Sequence, residues 1–240
     1  MTWRIHHKAE TESTNLDARA GRHGDVFTAD FQSAGRGRLD HKWLSPKGAN
    51  LMMSAVLSVG GLDPELVATL PLVAGLAVAQ ALKMILSSPA VSLKWPNDVL
   101  VGGKKIAGIL CERRGDEVIV GIGVNVNQTA FPPEIAGRAT SLAIALGAAA
   151  RGHGVEIVRV RDLVLEELGR LYACWRREGF AAVHPGIAAI DFLKGREVSV
   201  RQTDGDSAPV TGVSNGIMPD GALDVGGIRI YAGEAHVEKL

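Results

Sequence analysis

Two arginines and a lysine, Arg36, Arg38 and Lys42, lie within the twelve residues Gln32-Ser-Ala-Gly-Arg-Gly-Arg-Leu-Asp-His-Lys-Trp43. Gly35 and Gly37 beside them permit positive φ and close approach of backbone to a ligand, while a guanidinium offers a planar fork of donors matched to phosphate or carboxylate oxygens. The stretch reads as a mobile anion clamp, although a Gly-Arg run alone serves equally as a solvated turn or a nucleic-acid-binding segment. Two further cations, Lys94 and Lys105, stand in otherwise apolar runs. Arg36, Arg38, Lys94 and Lys105 are candidates to face one site. Such a set suits chemistry in which negative charge on phosphorus is held while a weak nucleophile attacks. Activation of a carboxylate by ATP fits. The carboxylate attacks the α-phosphorus, pyrophosphate leaves, and a loop folding over the acyl-adenylate shelters it from water until an amine arrives.

The elements that must position these groups follow from periodicity. Val26 to Phe31 reads as a strand leading into the Gly-Arg loop, and Asn50 to Val59 as a nearly continuous apolar strand leaving it. Before them, Glu12-Ser-Thr-Asn15 followed by Leu16, Ala18 and Ala20 predicts a helix start that Ser13 or Thr14 caps. Residues 1 to 8 give no secure pattern. A helix over Val67 to Leu86 packs across the strands. Leu66 to Leu86 is long enough to cross a bilayer, but Pro71, Gln80 and Lys83 interrupt it and no basic flank orients it, so it reads as a buried helix. Val91 to Trp95, Val99 to Val101, Lys104 to Cys111 and Val118 to Val126 predict an antiparallel meander, with a Gly102-Gly103 hairpin turn and a polar turn over Glu112 to Glu117. Lys94, Lys105 and Asn125 are thereby expected on neighbouring strands. Glu134 to Ala150 is Ala-rich, with one or two short helices. Val160, Val164, Leu168, Leu171 and Trp175 define an amphipathic helix to about Ala182, which His184-Pro-Gly186 breaks. From Phe192 onward, alternation at Val198 and Val200 with turns at Asp204-Gly-Asp206 and Pro219-Asp-Gly221 predicts a small β-barrel packed on the main domain. The fold class is α+β.

Composition narrows the function. The 240 residues carry 26 basic and 26 acidic side chains, a balance that argues against a protein devoted to coating nucleic acid or an acidic membrane. Cys111 and Cys174 are too few for a disulfide framework and are not spaced as metal ligands, which points to a reducing cytoplasm. The first twenty residues lack the apolar core of a signal peptide, so the sequon Asn127-Gln-Thr129 carries no meaning. Val101-Gly-Gly-Lys-Lys105 is too short for a P-loop, Gly121-Ile-Gly123 lacks the third glycine of a dinucleotide turn, and no HExxH or CxxC occurs.

Taken in order, Glu12-Ser-Thr-Asn15, Gly35-Arg-Gly-Arg38 leading to Trp43, Lys94-Trp-Pro-Asn-Asp98, Lys105-Ile-Ala-Gly-Ile-Leu110 and Gly121-Ile-Gly-Val-Asn125 resemble the successive motifs of biotin protein ligases. The resemblance covers most of the first two thirds of the chain, and the tail resembles the family's SH3-like C-terminal domain. It implies a mixed, mostly antiparallel sheet flanked by helices, of the class II aminoacyl-tRNA-synthetase and biotin-ligase type. A catalytic domain over 1–188 and an SH3-like barrel over 189–240 are expected. Without a helix-turn-helix before the first motif, the chain resembles the ligase-only group. The implied activity is formation of biotinyl-5′-AMP from biotin and ATP with Mg²⁺, then transfer to a lysine of the biotin carboxyl carrier domain of a biotin-dependent carboxylase, as a cytoplasmic monomer or homodimer without DNA or membrane partners. By resemblance Ser13, Thr14 and Gln32 bind the ureido end of biotin, with Gly35, Arg36 and Gly121 also at biotin. Arg38 covers the adenylate, Lys105 holds the biotin carboxylate and the α-phosphate oxygens, Gly121 and Gly123 admit the ligand to the backbone, and Trp43, Lys94, Asn97 and Asn125 serve the nucleotide with Arg38. Asp98 is a candidate for orienting or deprotonating the incoming lysine, with capping by Asn97-Asp98 as the structural alternative.

Many family members continue the loop with more arginine and glycine, whereas Leu39-Asp40-His41 follows here and leaves its rear less basic. Strand alternation directs only one of Lys104 and Lys105 inward, and the family register selects Lys105. Cys111 reads as a small core residue rather than an acyl-carrying nucleophile. The alternatives are a lipoate ligase or octanoyltransferase of the same superfamily and, in another class, a nucleic-acid-binding module. The neutral balance and scarcity of aromatics weigh against the last.

Overall fold

The computed structural model describes residues 1–39, 41–86, 90–147, 154–203 and 208–238. Asp40, the end of the Ala-rich stretch and the Asp204-Gly-Asp206 turn lie outside them. A seven-stranded sheet forms the body, from β1 (Arg4–Thr11), β2 (Asp25–Gln32), β3 (Leu51–Ser58), β4 (Val91–Lys94), β5 (Asp98–Val101), β6 (Lys104–Arg114) and β7 (Glu117–Val124). Its order is β1-β2-β3-β7-β6-β5-β4. Only β1 and β2 run parallel. The mixed, mostly antiparallel sheet expected from the pattern is present. Six of the seven strands coincide with apolar runs in the sequence. The exception is β1, whose residues are nearly all exposed; a strand with no buried face leaves no alternation to read.

Local chemistry accounts for the connections. Gly102 and Gly103 both take positive φ, 56° and 77°, the backbone a tight hairpin needs between β5 and β6. The polar turn expected over Glu112 to Glu117 contracts to Gly115-Asp116, because β6 and β7 remain paired as far as Arg114 and Glu117. Glu112 is therefore a strand residue.

The longer helices cover one face, and the first short one lies on the other. α1 (Thr14–Asp17) is a single turn, α2 (Pro64–Ala68) is capped by Asp63, which accepts from the Glu65 N–H, and α3 (Leu70–Leu86) follows with Pro71 in its first turn. A proline there sacrifices no helical hydrogen bond, and the helix expected over Val67 to Leu86 is divided at Thr69 into α2 and α3. The segment Pro64–Leu86 is long and apolar enough to span a membrane, yet 72% of its most apolar window is buried inside the molecule. It is the central core helix, as the interrupting polar residues imply.

Two short helices, α4 (Pro133–Ala136) and α5 (Leu142–Leu146), precede α6 (Ile157–Glu178). Val160, Val164, Leu168, Leu171 and Trp175 are all buried along α6. That helix stops at Gly179, with φ 82°, before the expected end at Ala182; a 3₁₀ turn occupies Phe180–Ala182. His184-Pro-Gly186 does not break α6. It opens a further helix, α7 (His184–Ala188), with proline again in the first turn.

The C-terminal strands β8 (Glu197–Gln202), β9 (Val210–Ile217), β10 (Leu223–Val225), β11 (Ile228–Ile230) and β12 (Gly233–Val237) form a second sheet in the order β11-β10-β9-β8-β12. All its pairings are antiparallel. The strands expected of a small barrel form this five-stranded antiparallel sheet, in which, among the described residues, no pairing joins β11 to β12. Its apolar face, with Val198, Val200, Leu223 and Ile230, is continuous with the main core. Polar ties reinforce the join. The Ile217 N–H donates to Asp191 Oδ2 at 2.8 Å, His184 Nε2 to the Ile217 carbonyl at 2.7 Å, and Trp95 Nε1 to the Gly221 carbonyl at 3.2 Å.

Candidate active site

The face of the main sheet opposite α3 carries the site, and strand register builds its floor. Met52 of β3 pairs with Gly123 of β7, Gly123 with Gly108 of β6, Gly108 with Asp98 of β5, and Asp98 with Lys94 of β4. All five line one open cavity enclosing about 960 Å³, mouth included. Lys94 and Lys105 are thus separated by β5 rather than on adjacent strands, as the sequence suggested, and they converge because the row crosses the sheet.

The two facing glycines leave bare backbone at the centre of this row, and the Trp43 indole occupies the space. A Cβ on Gly123 would lie 2.5 Å from Trp43 Cε2, and one on Gly108 3.3 Å from Cζ3. The buried Trp43 Nε1 has no hydrogen-bond partner among the described residues, which leaves a donor unused beside the cavity. The Gly-Arg segment that carries Trp43 is a folded hairpin: Trp43 N–H donates to Gly35 O at 2.9 Å and Gly37 N–H to His41 O at 2.7 Å. Its glycines serve close approach. A side chain at Gly35 would strike the Trp43 carbonyl, whereas the positive φ of the loop falls at Leu39, 51°. Gly35 itself faces a neighbouring depression rather than the main cavity.

Lys105 reaches the cavity through a strand irregularity. Counting alternately back from Gly108 would direct Lys104 to the site face. Between Val99 and Leu100 the β5–β6 register shifts, so that Val99 pairs with Ala107 but Leu100 with Lys105. The bulge reverses the phase and turns Lys105 inward while Lys104 stays exposed. Lys105 Nζ stands 2.7 Å from Asp98 Oδ1, an ion pair off the angle of a hydrogen bond. Lys94 lies deeper. Burial lowers its pKa from the usual lysine value, opposed by the Asp98 and Glu234 carboxylates. Arg38 reaches the opposite rim, where Nη1 donates to Asn97 Oδ1 at 3.4 Å and to the carbonyl of Gly233 in β12 at 3.2 Å. Asn97 Nδ2 donates in turn to Ile109 O at 2.8 Å.

The other end is lined chiefly by neutral polar groups. Ser13, Thr14 and Asn15 are buried at the start of α1, and the expected hydroxyl cap is not made. The Thr14 N–H donates instead to Gln32 Oε1 at 2.7 Å. Four oxygens then run in a chain: Asn15 Oδ1 to Ser54 Oγ at 2.6 Å, Ser54 Oγ to Thr14 Oγ1 at 2.8 Å, and Thr14 Oγ1 to Gln32 Oε1 at 3.0 Å. Both ends are amide carbonyls, so two hydroxyl protons serve three contacts. This end presents a surplus of acceptors and suits a ligand rich in N–H groups.

With the geometry established, comparisons place the chain. Residues 7–128 match the model of the biotin/lipoate A/B protein ligase family. The chain belongs to this family. A biotin–[acetyl-CoA-carboxylase] ligase of Mycobacterium tuberculosis is 35% identical over 97% of this chain and 87% of its own length. Among solved structures, the biotin protein ligase of Aquifex aeolicus in complex with biotin and ATP superposes with a TM-score of 0.85 at 31% identity, covering 99% of both chains. The Leishmania major enzyme in complex with biotinyl-5-AMP gives 0.64 at 26%, again over 99% of both.

Against the residues expected from the family's motifs, Ser13, Thr14, Gln32, Arg36, Arg38, Trp43, Lys94, Asn97, Asp98, Lys105 and Gly121 all line the one cavity. Asn125 does not. It is buried behind the floor, its Nδ2 donating to Thr140 O at 3.0 Å, where it ties the end of β7 to the segment before α5. Cys111 points to the core, and burial, with Glu112 adding to it, pushes its thiol up to about 12, which leaves no thiolate for catalysis at neutral pH. Asn15, Ser54, Met52 and Glu234 also belong to the site, and sequence reasoning did not single them out. For Asn15 the signal was present: an amide beside Ser13 and Thr14, where Gly121 opposite makes room for it.

Proposed function

We propose that this chain is an ATP-dependent biotin protein ligase. Biotin lies with its ureido ring against the acceptor-rich chain of Asn15, Ser54, Thr14 and Gln32, and its valeryl carboxylate extends toward Lys105. The carboxylate oxygen attacks the α-phosphorus of ATP, the bond to the bridging oxygen breaks, and pyrophosphate leaves. Lys105 and Lys94 balance the charge spread over the α-phosphate oxygens in that step, and Arg38 closes the rim over the mixed anhydride. The neutral amine of a carrier-domain lysine then attacks the acyl carbon, expelling AMP and losing one proton, for which Asp98 is the adjacent base. Mg²⁺ enters with ATP. Among the described residues no three His, Cys, Asp or Glu side chains are grouped to cage a metal, which agrees with an ion held chiefly by substrate phosphates and water. In this reading residues 1–188 carry catalysis, and residues 189–240 form a C-terminal domain that closes the rim through β12. The acceptor is the carrier domain of a biotin-dependent carboxylase, and the reaction belongs to the cytoplasm.

The observation that carries the proposal is the polarity of the cavity: oxygen acceptors short of protons at one end, three cations at the other. A lipoyl or octanoyl group offers that acceptor end no N–H. Pyrophosphate release with biotin, lipoate and octanoate, each with MgATP, tests this directly. Release with biotin, followed by labelling of a carrier domain, is expected; release with lipoate alone would overturn the assignment.

A further inference from the structure

Glu112 has no part in the chemistry above, yet it touches both halves of the machinery. From its place on β6 its Oε1 accepts from Arg36 Nη1 at 2.9 Å, with Arg19 Nη2 at 3.6 Å, while Oε2 accepts from Asn15 Nδ2 at 2.6 Å. We infer that Glu112 is a positioning residue that sets the orientation of the Asn15 amide at the ureido pocket and couples it to the Gly-Arg loop through Arg36. This rests on the biotin ligase reading of the site.

The chemistry of the two contacts carries the inference. An ionised carboxylate only accepts, so Glu112 compels Asn15 to aim its NH₂ at β6 and its carbonyl at Ser54. Remove the carboxylate and the amide is free to turn over, which puts donors where the pocket needs acceptors and opposes a ligand N–H. The Arg36 contact adds the second half. The Arg36 side chain is 45% exposed against 23% for Glu112, and an ion pair that open is worth little by itself. Here its carboxylate is already fixed from the inside by buried Asn15, so ordering of the loop and ordering of the pocket share one group. Coupling of this kind is reciprocal: biotin in the pocket favours the closed loop, and the closed loop favours biotin. Arg36 enters the arrangement from the loop, Asn15 from α1 and Glu112 from β6, so no two of the three lie on the same element.

The full-length protein tests this through three readouts: KM for biotin, kcat of pyrophosphate release, and the lifetime of bound biotinyl-adenylate. Loss of a charge-assisted bond predicts that Glu112→Ala raises KM for biotin about tenfold or more and shortens the lifetime to a similar degree. Glu112→Gln separates the two roles, because its carbonyl can still receive Asn15 Nδ2 while its neutral amide cannot hold a guanidinium. KM should then rise by only about threefold, but the lifetime should fall as far as in Glu112→Ala. Arg36→Ala should shorten the lifetime in the wild-type background and add nothing in the Glu112→Ala background. Values within twofold of wild type in Glu112→Ala, or independent multiplication of the Arg36 and Glu112 effects, would overturn the coupling. If Glu112→Ala fails to fold, Glu112→Gln alone decides, since a purely structural role would leave KM and lifetime moving together. Wild-type protein that makes no biotinyl-adenylate would remove the ligase reading itself, whereas active wild type with unaffected variants removes only the role of Glu112.

Discussion

Replacing Gly121 with alanine gives the sharpest test of the acceptor chain. Gly121 sits in β7 with Ser54 of β3 on one side and Leu110 of β6 on the other. A methyl group there would collide with Asn15 Oδ1 and lie 3.0 Å from its Cγ and 3.1 Å from its Nδ2. Strand β7 is paired on both flanks and cannot retreat, so the Asn15 amide must. It then loses the bond from Ser54 and the bond to Glu112, both 2.6 Å long. A neutral bond of this kind contributes about 1 kcal/mol and one to a charged group about 1.5–3, so the full loss is about 2.5–4 kcal/mol. Part of this appears as reduced stability. If half falls on biotin binding, KM for biotin rises about tenfold, because 1.4 kcal/mol is one decade. Pyrophosphate release against biotin concentration reads the first share, and thermal unfolding without ligand reads the second. The control is the double variant: with Asn15→Ala already in place the three atoms nearest the methyl are gone, so Gly121→Ala should then add little. An equal loss from Gly121→Ala in both backgrounds would refute the steric argument.

Other perturbations address the rest of the site and the fold. Lys105→Ala should abolish adenylate formation while far-UV dichroism and melting stay near wild type, because the ion pair to Asp98 is partly exposed and contributes about 1 kcal/mol or less; undiminished pyrophosphate release would exclude Lys105 from the chemistry. Arg38→Gly removes the donor to Asn97 and to Gly233, so bound adenylate should escape faster and label exposed lysines of bystander proteins, and an unchanged lifetime would dismiss the lid role. Asp25 is desolvated, which works against ionisation, yet bonds from the Arg22 N–H, His6 and Arg4 prevail and hold its carboxyl down to about 2. A depressed carboxyl pKa stabilises the fold above its unfolded value near 3.8 and loses that contribution as pH falls toward 2. Asp25 is buried but its partners Arg4 and His6 are about half exposed, so the screened contribution is about 1 kcal/mol, and Asp25→Asn should flatten the loss of melting temperature between pH 4 and pH 2; an unaltered slope would assign the acid sensitivity elsewhere.

The parts of the molecule that sequence could reveal are those in which burial writes a period. β3 and the β4–β7 meander are apolar enough to be read, and α3 and α6 show helical spacing. β1 was invisible because none of its residues is buried. Lys105 could be chosen over Lys104 only by family register, since the bulge that turns it inward has no signature in alternation. Glu112 was hidden for a different reason. Glu-Arg-Arg-Gly-Asp-Glu looks like a solvated turn, but the hairpin extends beyond the core and keeps those charges on strands. Its partner Asn15 is 97 residues away, a distance no local pattern spans. The loop glycines misled in detail. They suggested positive φ, whereas the structure uses Gly35 for proximity to Trp43 and puts the strained backbone at Leu39.

The contact between Arg38 and the Gly233 carbonyl joins residues 195 positions apart, and it bears on how the site is completed. The Asn15–Gln32 end of the cavity needs the chain only as far as β7, because Thr14, Gln32 and Ser54 precede that strand and Gly121 lies within it. The rim is not complete until β12 follows. A chain lacking β12 would hold that end of the cavity without the contact that closes the rim. β12 is thus the strand that completes the rim.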